Sequence, residues 1–202
     1  MDWFKYEKDY QKQGYSLICG IDEAGRGPLF GPVCAAAVIL PEAAAFSGLN
    51  DSKKLSAKKR EFLYEEITAQ ALSYGVGFAS AQEIDDMNIL QATYLAMHRA
   101  YAQLCPKPDF ILIDGNKIPT QLQQLPAAAI VKGDTKSASI AAASILAKVS
   151  RDRRLREYAE AYPDYGFERH KGYPTKAHYA AIKAYGILKE HRKSFLRNLG
   201  EK

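Results

Sequence analysis

Residues 16–40 read SLICGIDEAGRGPLFGPVCAAAVIL. Two apolar runs, SLICGID and VCAAAVIL, flank a turn rich in glycine and proline, so each reads as a buried strand and the first ends at Asp22. Asp22 and Glu23 therefore stand side by side at a strand's end, ahead of a glycine-rich turn that holds one arginine, Arg26. Consecutive residues of an extended strand face opposite sides, so one of the two acids points to the packed face of a sheet, where a carboxylate needs a partner.

Working outward, residues 56–74 place Phe62, Ile67 and Leu72 among charges at helical spacing, which predicts a surface helix. A short strand, VGFAS, follows, and Ser80 with Glu83 forms a capping-box pattern opening a helix to about Leu104. DFILID is a fourth strand ending in Asp114, and AAIVKGD a fifth ending in Asp134. Beyond it SASIAAASILAKV is apolar on almost every face, as a helix buried against a sheet would be, and it continues into the charged SRDRRLREYAEAY, where Asp152 and Arg156 are spaced for a helical ion pair. The remainder, about residues 176–202, reads as a basic helical extension of a single domain spanning 1–202.

Hydrophobic residues make up 47% of the 202 and charged residues 25%, the composition of a soluble globular protein and not of a disordered or fibrous chain, and the length allows one α/β domain of the strands and helices above with a real core. A net charge of +5 suits a polyanionic partner without requiring one. Cys19, Cys34 and Cys105 have no metal-type spacing and read as buried thiols of a reducing compartment. The N-terminus has no apolar signal core, and VCAAAVIL is too short to cross a bilayer, so a cytoplasmic protein is expected.

Three apolar strands thus end in acids: Asp22 with Glu23, Asp114, and Asp134. Strand ends are where open α/β sheets gather ligands. Four converging carboxylates repel, and oxygen-only ligation by hard divalent ions such as magnesium or manganese relieves the repulsion. Two such ions about 4 Å apart activate water and steady the leaving oxygen of a phosphodiester. Each acid has a plainer reading beside this one. Asp114 alone is a turn residue, Asp134 stands where a helix N-cap belongs, and AGRGP is a tight turn. Capping and metal binding are not exclusive.

Taken together, GIDEAGRGPLFGPV, DSKKLS, ILIDGN, KGDTKSASIAAASILAKVSRD and YGFERHKGYPTKAH, in this order over nearly the whole chain, resemble bacterial ribonuclease HII. The resemblance implies a ribonuclease H-like fold, a central mixed five-stranded sheet flanked by helices with a helical C-terminal part. It also implies metal-dependent cleavage of RNA in RNA–DNA hybrids and at single ribonucleotides embedded in DNA. By the same resemblance Asp22, Glu23, Asp114 and Asp134 are catalytic metal ligands for Mn²⁺ or Mg²⁺, with two ions in the substrate complex. Gly25, Arg26 and Gly27 match the element that meets the 2′-hydroxyl through backbone groups, and glycine lets the main chain come close to a sugar. Tyr173 matches the tyrosine that stacks on the next sugar. Lys53 and Lys54 are expected at phosphates, with Lys148 and Arg151 as further candidates; the plainer reading of all four is a solvated surface, and RDRRLRE, with its helical ion-pair spacing, favours it. His170, His178 and His191 have no metal-ligand spacing and receive no chemistry, although His170 and Lys171 lie near Tyr173 in sequence.

The alternatives are a ribonuclease HIII-like enzyme, expected to carry a further N-terminal domain where only about twenty residues precede Asp22 here, and a non-catalytic nucleic-acid-binding module of the same fold, expected to lack a carboxylate. KSFLRNL lacks the glutamine that marks a sliding-clamp motif, so no protein partner and a monomer are expected.

Overall fold

The structure, a computed structural model, describes residues 2–42, 44, 46, 48–49 and 52–196. Five strands, β1 (Ile18–Ala24), β2 (Val33–Ile39), β3 (Ser73–Ala79), β4 (Phe110–Asp114) and β5 (Ala127–Ile130), form one sheet in the order β3-β2-β1-β4-β5. β2 runs antiparallel to β1 and β3, whereas β4 is parallel to β1 and to β5, so the sheet is mixed. The α-helices among the described residues are α1 (Lys5–Gln11), α2 (Ala57–Gln70), α3 (Ala81–Met87), α4 (Ile89–Ala102), α5 (Ala138–Ala161), α6 (Phe167–His170) and α7 (Lys176–Tyr185). None is long and apolar enough to cross a membrane.

Strand alternation divides the core. Cys19, Ile21, Val33, Ala35, Ala37 and Ile39 meet α4 residues Ala96, Met97 and Ala100 on one face. Cys34, Ala36 and Val38 meet α5 and α2 on the other, which explains why α5 is apolar all round through Val149. Main chain meets main chain most closely at Gly20 among the described glycines: a Cβ there would lie 2.1 Å from the Ser139 carbonyl carbon and 2.3 Å from the Ile140 nitrogen. Glycine at this point brings the start of α5 directly onto β1.

Several sequence expectations need correction. The helix opened by the Ser80–Glu83 capping box breaks at Asn88, whose φ of 74° ends α3 and whose side chain accepts from the Leu90 and Gln91 amides to open α4. In α2 the buried residues are Leu63 and Ile67; Phe62 and Leu72 are exposed, and Ser73 and Tyr74 already belong to β3. Asp152 pairs with Lys148 at 2.6 Å, not with Arg156, which reaches Glu61 on α2. Cys19 and Cys34 are buried free thiols, whereas Cys105 is exposed. Burial pushes the Cys19 thiol up to about 12. Among the described residues of the C-terminal segment α-helix is confined to Lys176–Tyr185; Gly186 ends it, the chain turns inward to bury His191 and Arg192, and a 3-10 turn follows at Lys193–Phe195. Residues 197–202 lie outside the described residues.

Candidate active site

The register of β1 on β4 runs from Ile18↔Phe110 to Ile21↔Ile113, so the next residues, Asp22 and Asp114, lie side by side on adjacent parallel strands. By alternation both share the face of Ile18, Phe110 and Leu112, the face that packs on Ile140 of α5. Asp22 is 5% exposed, and it is the member of the acid pair that points to the packed side. Its Oδ1 accepts from the Glu23 amide at 2.7 Å, and the Ser144 hydroxyl of α5, itself 2.8 Å from the Ser52 hydroxyl, hydrogen-bonds to it as well. Glu23, on the other side of the strand, is 3.3 Å from the Arg26 guanidinium.

Asp134 arrives by another route than expected. β5 stops at Ile130, Lys132 takes a left-handed conformation with φ 58°, and Asp134 sits in a one-turn 3-10 helix, Gly133–Thr135. It does not cap α5; Ser137 does, accepting from the Ile140 amide at 3.2 Å. The turn is tied to β4 because the Gly133 amide donates to Asp114 Oδ1 at 2.6 Å, and a Cβ on Gly133 would collide with Ile140 Cδ1 at 2.5 Å. Asp134, 8% exposed, directly follows Gly133 and so belongs to the turn that is anchored on Asp114.

Electrostatics mark this corner. Burial, then the negative charges of Glu23 and Asp114, raise the Asp22 carboxyl well above the usual carboxylate range. Burial also raises Glu23, with Arg26 and Lys53 opposing and Asp114 adding to the rise. Among the described residues no three acidic, histidine or cysteine side chains already stand at metal-ligand spacing. The donor set is nonetheless all oxygen, partly desolvated and short of positive charge, which fits a hard divalent cation.

The glycine-arginine-glycine turn lies beside the acids. Arg26 and Gly27 are exposed, and Tyr173, 44% exposed, has its ring 3.6 Å from where a Gly27 Cβ would stand. Structure thus brings together Gly27 and Tyr173, which are far apart in sequence. Lys53 and Lys54 complete a short 3-10 turn that starts at Ser52, and the carbonyls of Ser52 and Leu55 are held by Arg60. Lys148 is engaged by Asp152. Arg151 is not at the surface, as a phosphate contact requires. It is 1% exposed and donates to the carbonyls of Pro32 at 3.0 Å, Phe30 at 3.1 Å and Lys171 at 3.3 Å.

Sequence reasoning missed Arg192 altogether. Fully buried, it donates to the carbonyls of Gly25 at 2.7 Å, Arg26 at 2.9 Å and Gly31 at 2.9 Å. Three histidines to which the sequence assigned no chemistry cluster beside it, and burial holds two of them, His178 and His191, below the ordinary histidine value. The His178 Nδ1 lies 3.0 Å from the Tyr173 carbonyl, so it donates there and leaves Nε2 as an acceptor. His191 Nδ1 accepts from the Leu188 amide, so its Nε2–H donates to His178 Nε2 at 3.1 Å. His170 stacks on His178 and closes the loop that carries Tyr173 by accepting from the Gly172 amide. Apart from the contacts between the rings themselves, the partners are backbone groups, which no spacing of residue types reveals.

A mixed sheet with carboxylates at the ends of adjoining parallel strands is the ribonuclease H-like α/β fold. The ribonuclease H2 of Pyrococcus horikoshii OT3 shares it with a TM-score of 0.76 and 28% identity, over 92% of this chain and 98% of that one. So does the RNase HII of Archaeoglobus fulgidus, solved in complex with PCNA, with a TM-score of 0.71 and 30% identity over 88% and 94% of the respective chains. The family model for ribonuclease HII matches residues 19–198, and the ribonuclease HII of Bacillus cytotoxicus is 57% identical over 195 residues, 96% of this chain and 74% of that protein. The chain belongs to the ribonuclease HII family, a family of endonucleolytic ribonucleases.

Proposed function

We propose that this protein is a divalent-metal-dependent endonuclease that cuts RNA in RNA–DNA hybrids and nicks duplex DNA on the 5′ side of an embedded ribonucleotide, leaving 3′-hydroxyl and 5′-phosphate ends. The observation that carries the reading is the convergence of Asp22, Asp114 and the Asp134 turn, from three separate stretches of chain, on one corner of the sheet. In this reading residues 1–202 act as one catalytic domain, as a monomer, in the cytoplasm.

Asp22, Glu23, Asp114 and Asp134 would hold Mg²⁺ or Mn²⁺, with two ions in the substrate complex. When bound, such ions supply an activated water and stabilise the departing 3′-oxygen. No side chain acts as a nucleophile. Gly25, Arg26 and Gly27 present main-chain groups to the ribose, and the Arg26 guanidinium, exposed and only loosely paired, is free to turn to an adjacent phosphate. Tyr173 covers the neighbouring sugar, and its closeness to Gly27 supports a reader that tests two consecutive sugars at once. Lys53 and Lys54 serve the phosphate backbone; Lys148 joins them only by leaving Asp152.

The test is a labelled duplex with one ribonucleotide, incubated with the purified protein in EDTA and then in Mg²⁺ or Mn²⁺. Ion-dependent nicking 5′ of the ribonucleotide, lost in Asp114→Asn, is expected. Tight binding with no nick at any ion concentration would instead identify a silent binding module.

A further inference from the structure

We propose that Arg192 is a positioning residue for sugar recognition: its buried guanidinium turns the Gly25 and Arg26 carbonyls inward and thereby aims the Arg26 and Gly27 amides at the substrate. This rests on the function proposed above. A peptide unit is planar and trans, so the carbonyl of one residue and the amide of the next point in opposite directions. The Gly25 carbonyl meets Arg192 Nη2 at 2.7 Å, and the Arg26 carbonyl meets Nη1 at 2.9 Å. The amides of Arg26 and Gly27 must then face away from the core, on two exposed residues. Neither donates to a protein acceptor in the hydrogen bonds of the described residues. Two successive outward amides form a concavity suited to an oxygen lone pair, here the 2′-oxygen of a ribose.

The arrangement is over-determined in the way a recognition element requires. Arg192 Nε also holds the Gly31 carbonyl, and the Arg192 amide donates to the Leu29 carbonyl at 2.8 Å, so both sides of the turn are fixed to one residue. Arg151 lies against the first glycine: a Cβ on Gly25, whose φ is +92°, would be 2.0 Å from Arg151 Nε. Among the described residues neither guanidinium has a carboxylate within salt-bridge distance. Burying two such cations on carbonyls alone is a poor way to gain stability, and it is understandable where geometry is the gain. Lysine keeps the charge but has a single nitrogen in place of the three-carbonyl fork.

The experiment measures affinity for a duplex holding one ribonucleotide and for the same duplex in all-DNA form, both in an Asp114→Asn background that leaves the substrate uncut, with and without Arg192→Lys. We expect the preference for the ribonucleotide duplex to shrink about tenfold or more, while all-DNA binding is unchanged, because the phosphate contacts come from elsewhere. In the enzyme with intact acids, nicking should fall on the order of 10²-fold, as for a misplacement of about 1 Å. A merely structural role would weaken both duplexes alike, and that result, or an unchanged preference, overturns the proposal. If Arg192→Lys does not fold, NMR of the Arg192 protein in the Asp114→Asn background decides. Selective shifts of the Arg26 and Gly27 amides with the ribonucleotide duplex support the proposal, and unmoved amides overturn it. Failure of the enzyme with intact acids to nick at all would refute the function itself, a distinguishable result.

Discussion

Replacing Gly20 by alanine tests how the acids are held. The added Cβ would sit 2.1 Å from the Ser139 carbonyl carbon, whereas ordinary contact begins at 3.4 Å, so β1 and α5 must separate by about 1.3 Å. The obstacle is main chain at the first turn of a 24-residue helix and cannot rotate aside. Overpacking costs typically 1–3 kcal/mol, and a collision with backbone belongs at the top of that range, about 3 kcal/mol. For a chain of this size about 2–4 °C is lost per kcal/mol, so the melting temperature should fall by about 6–12 °C. Gly20 lies two residues before Asp22 on the same face of β1, so the carboxylate moves with it, and nicking should fall on the order of 10²-fold. Thermal denaturation followed by circular dichroism, with nicking rates on the same preparation, measures both. A melting temperature within about 2 °C of the unsubstituted protein would refute the close β1–α5 approach.

Three further outcomes are expected. Because the clustered carboxylates repel, Mg²⁺ or Mn²⁺ should raise the melting temperature of EDTA-treated protein, and Asp22→Asn should raise it without ions and blunt the response to them; an ion response unchanged in Asp22→Asn would count against Asp22 as a ligand. His178 and His191 are both held below the ordinary histidine value, by burial first, His191 at about 4, so the folded protein keeps them neutral while the unfolded chain protonates near 6.5. The stability they support is complete above about pH 6.5 and is lost as pH falls towards 4. His191→Gln should therefore flatten the melting-temperature profile across that window, and parallel profiles would contradict the neutral pair. Tyr173→Ala should lower nicking at a single ribonucleotide while leaving the fold intact, since the ring is half exposed; a melting temperature lowered by more than about 4 °C would show it to be structural.

Much of the sheet and its acids was legible because the signal was local. An apolar run that ends in a carboxylate sets a question of solvation, and Asp22, Glu23 and Asp114 lie where that question pointed. Asp134 was found in the right neighbourhood but by the wrong geometry, since β5 ends at Ile130, four residues before it, and the left-handed Lys132 then turns the chain. The break at Asn88 was readable in principle: an asparagine three residues before Gln91 carries N-cap spacing inside an otherwise continuous helical pattern. Arg151 was read as a phosphate contact or a solvated residue, the histidines were assigned no chemistry, and Arg192 drew no reading. Apart from the ring-to-ring contact of His178 and His191, their partners are carbonyls and amides, present at every residue and therefore silent in a sequence.

The central claim is that acids from three stretches of chain share divalent ions, and anomalous scattering from crystals of the protein grown with Mn²⁺ and an uncleaved ribonucleotide duplex tests it most directly. The account predicts manganese peaks bridged by Asp22 and Asp114, with Asp134 or Glu23 completing the shell next to the scissile phosphate. Manganese bound only elsewhere, with these carboxylates still apart around the docked duplex, would contradict it.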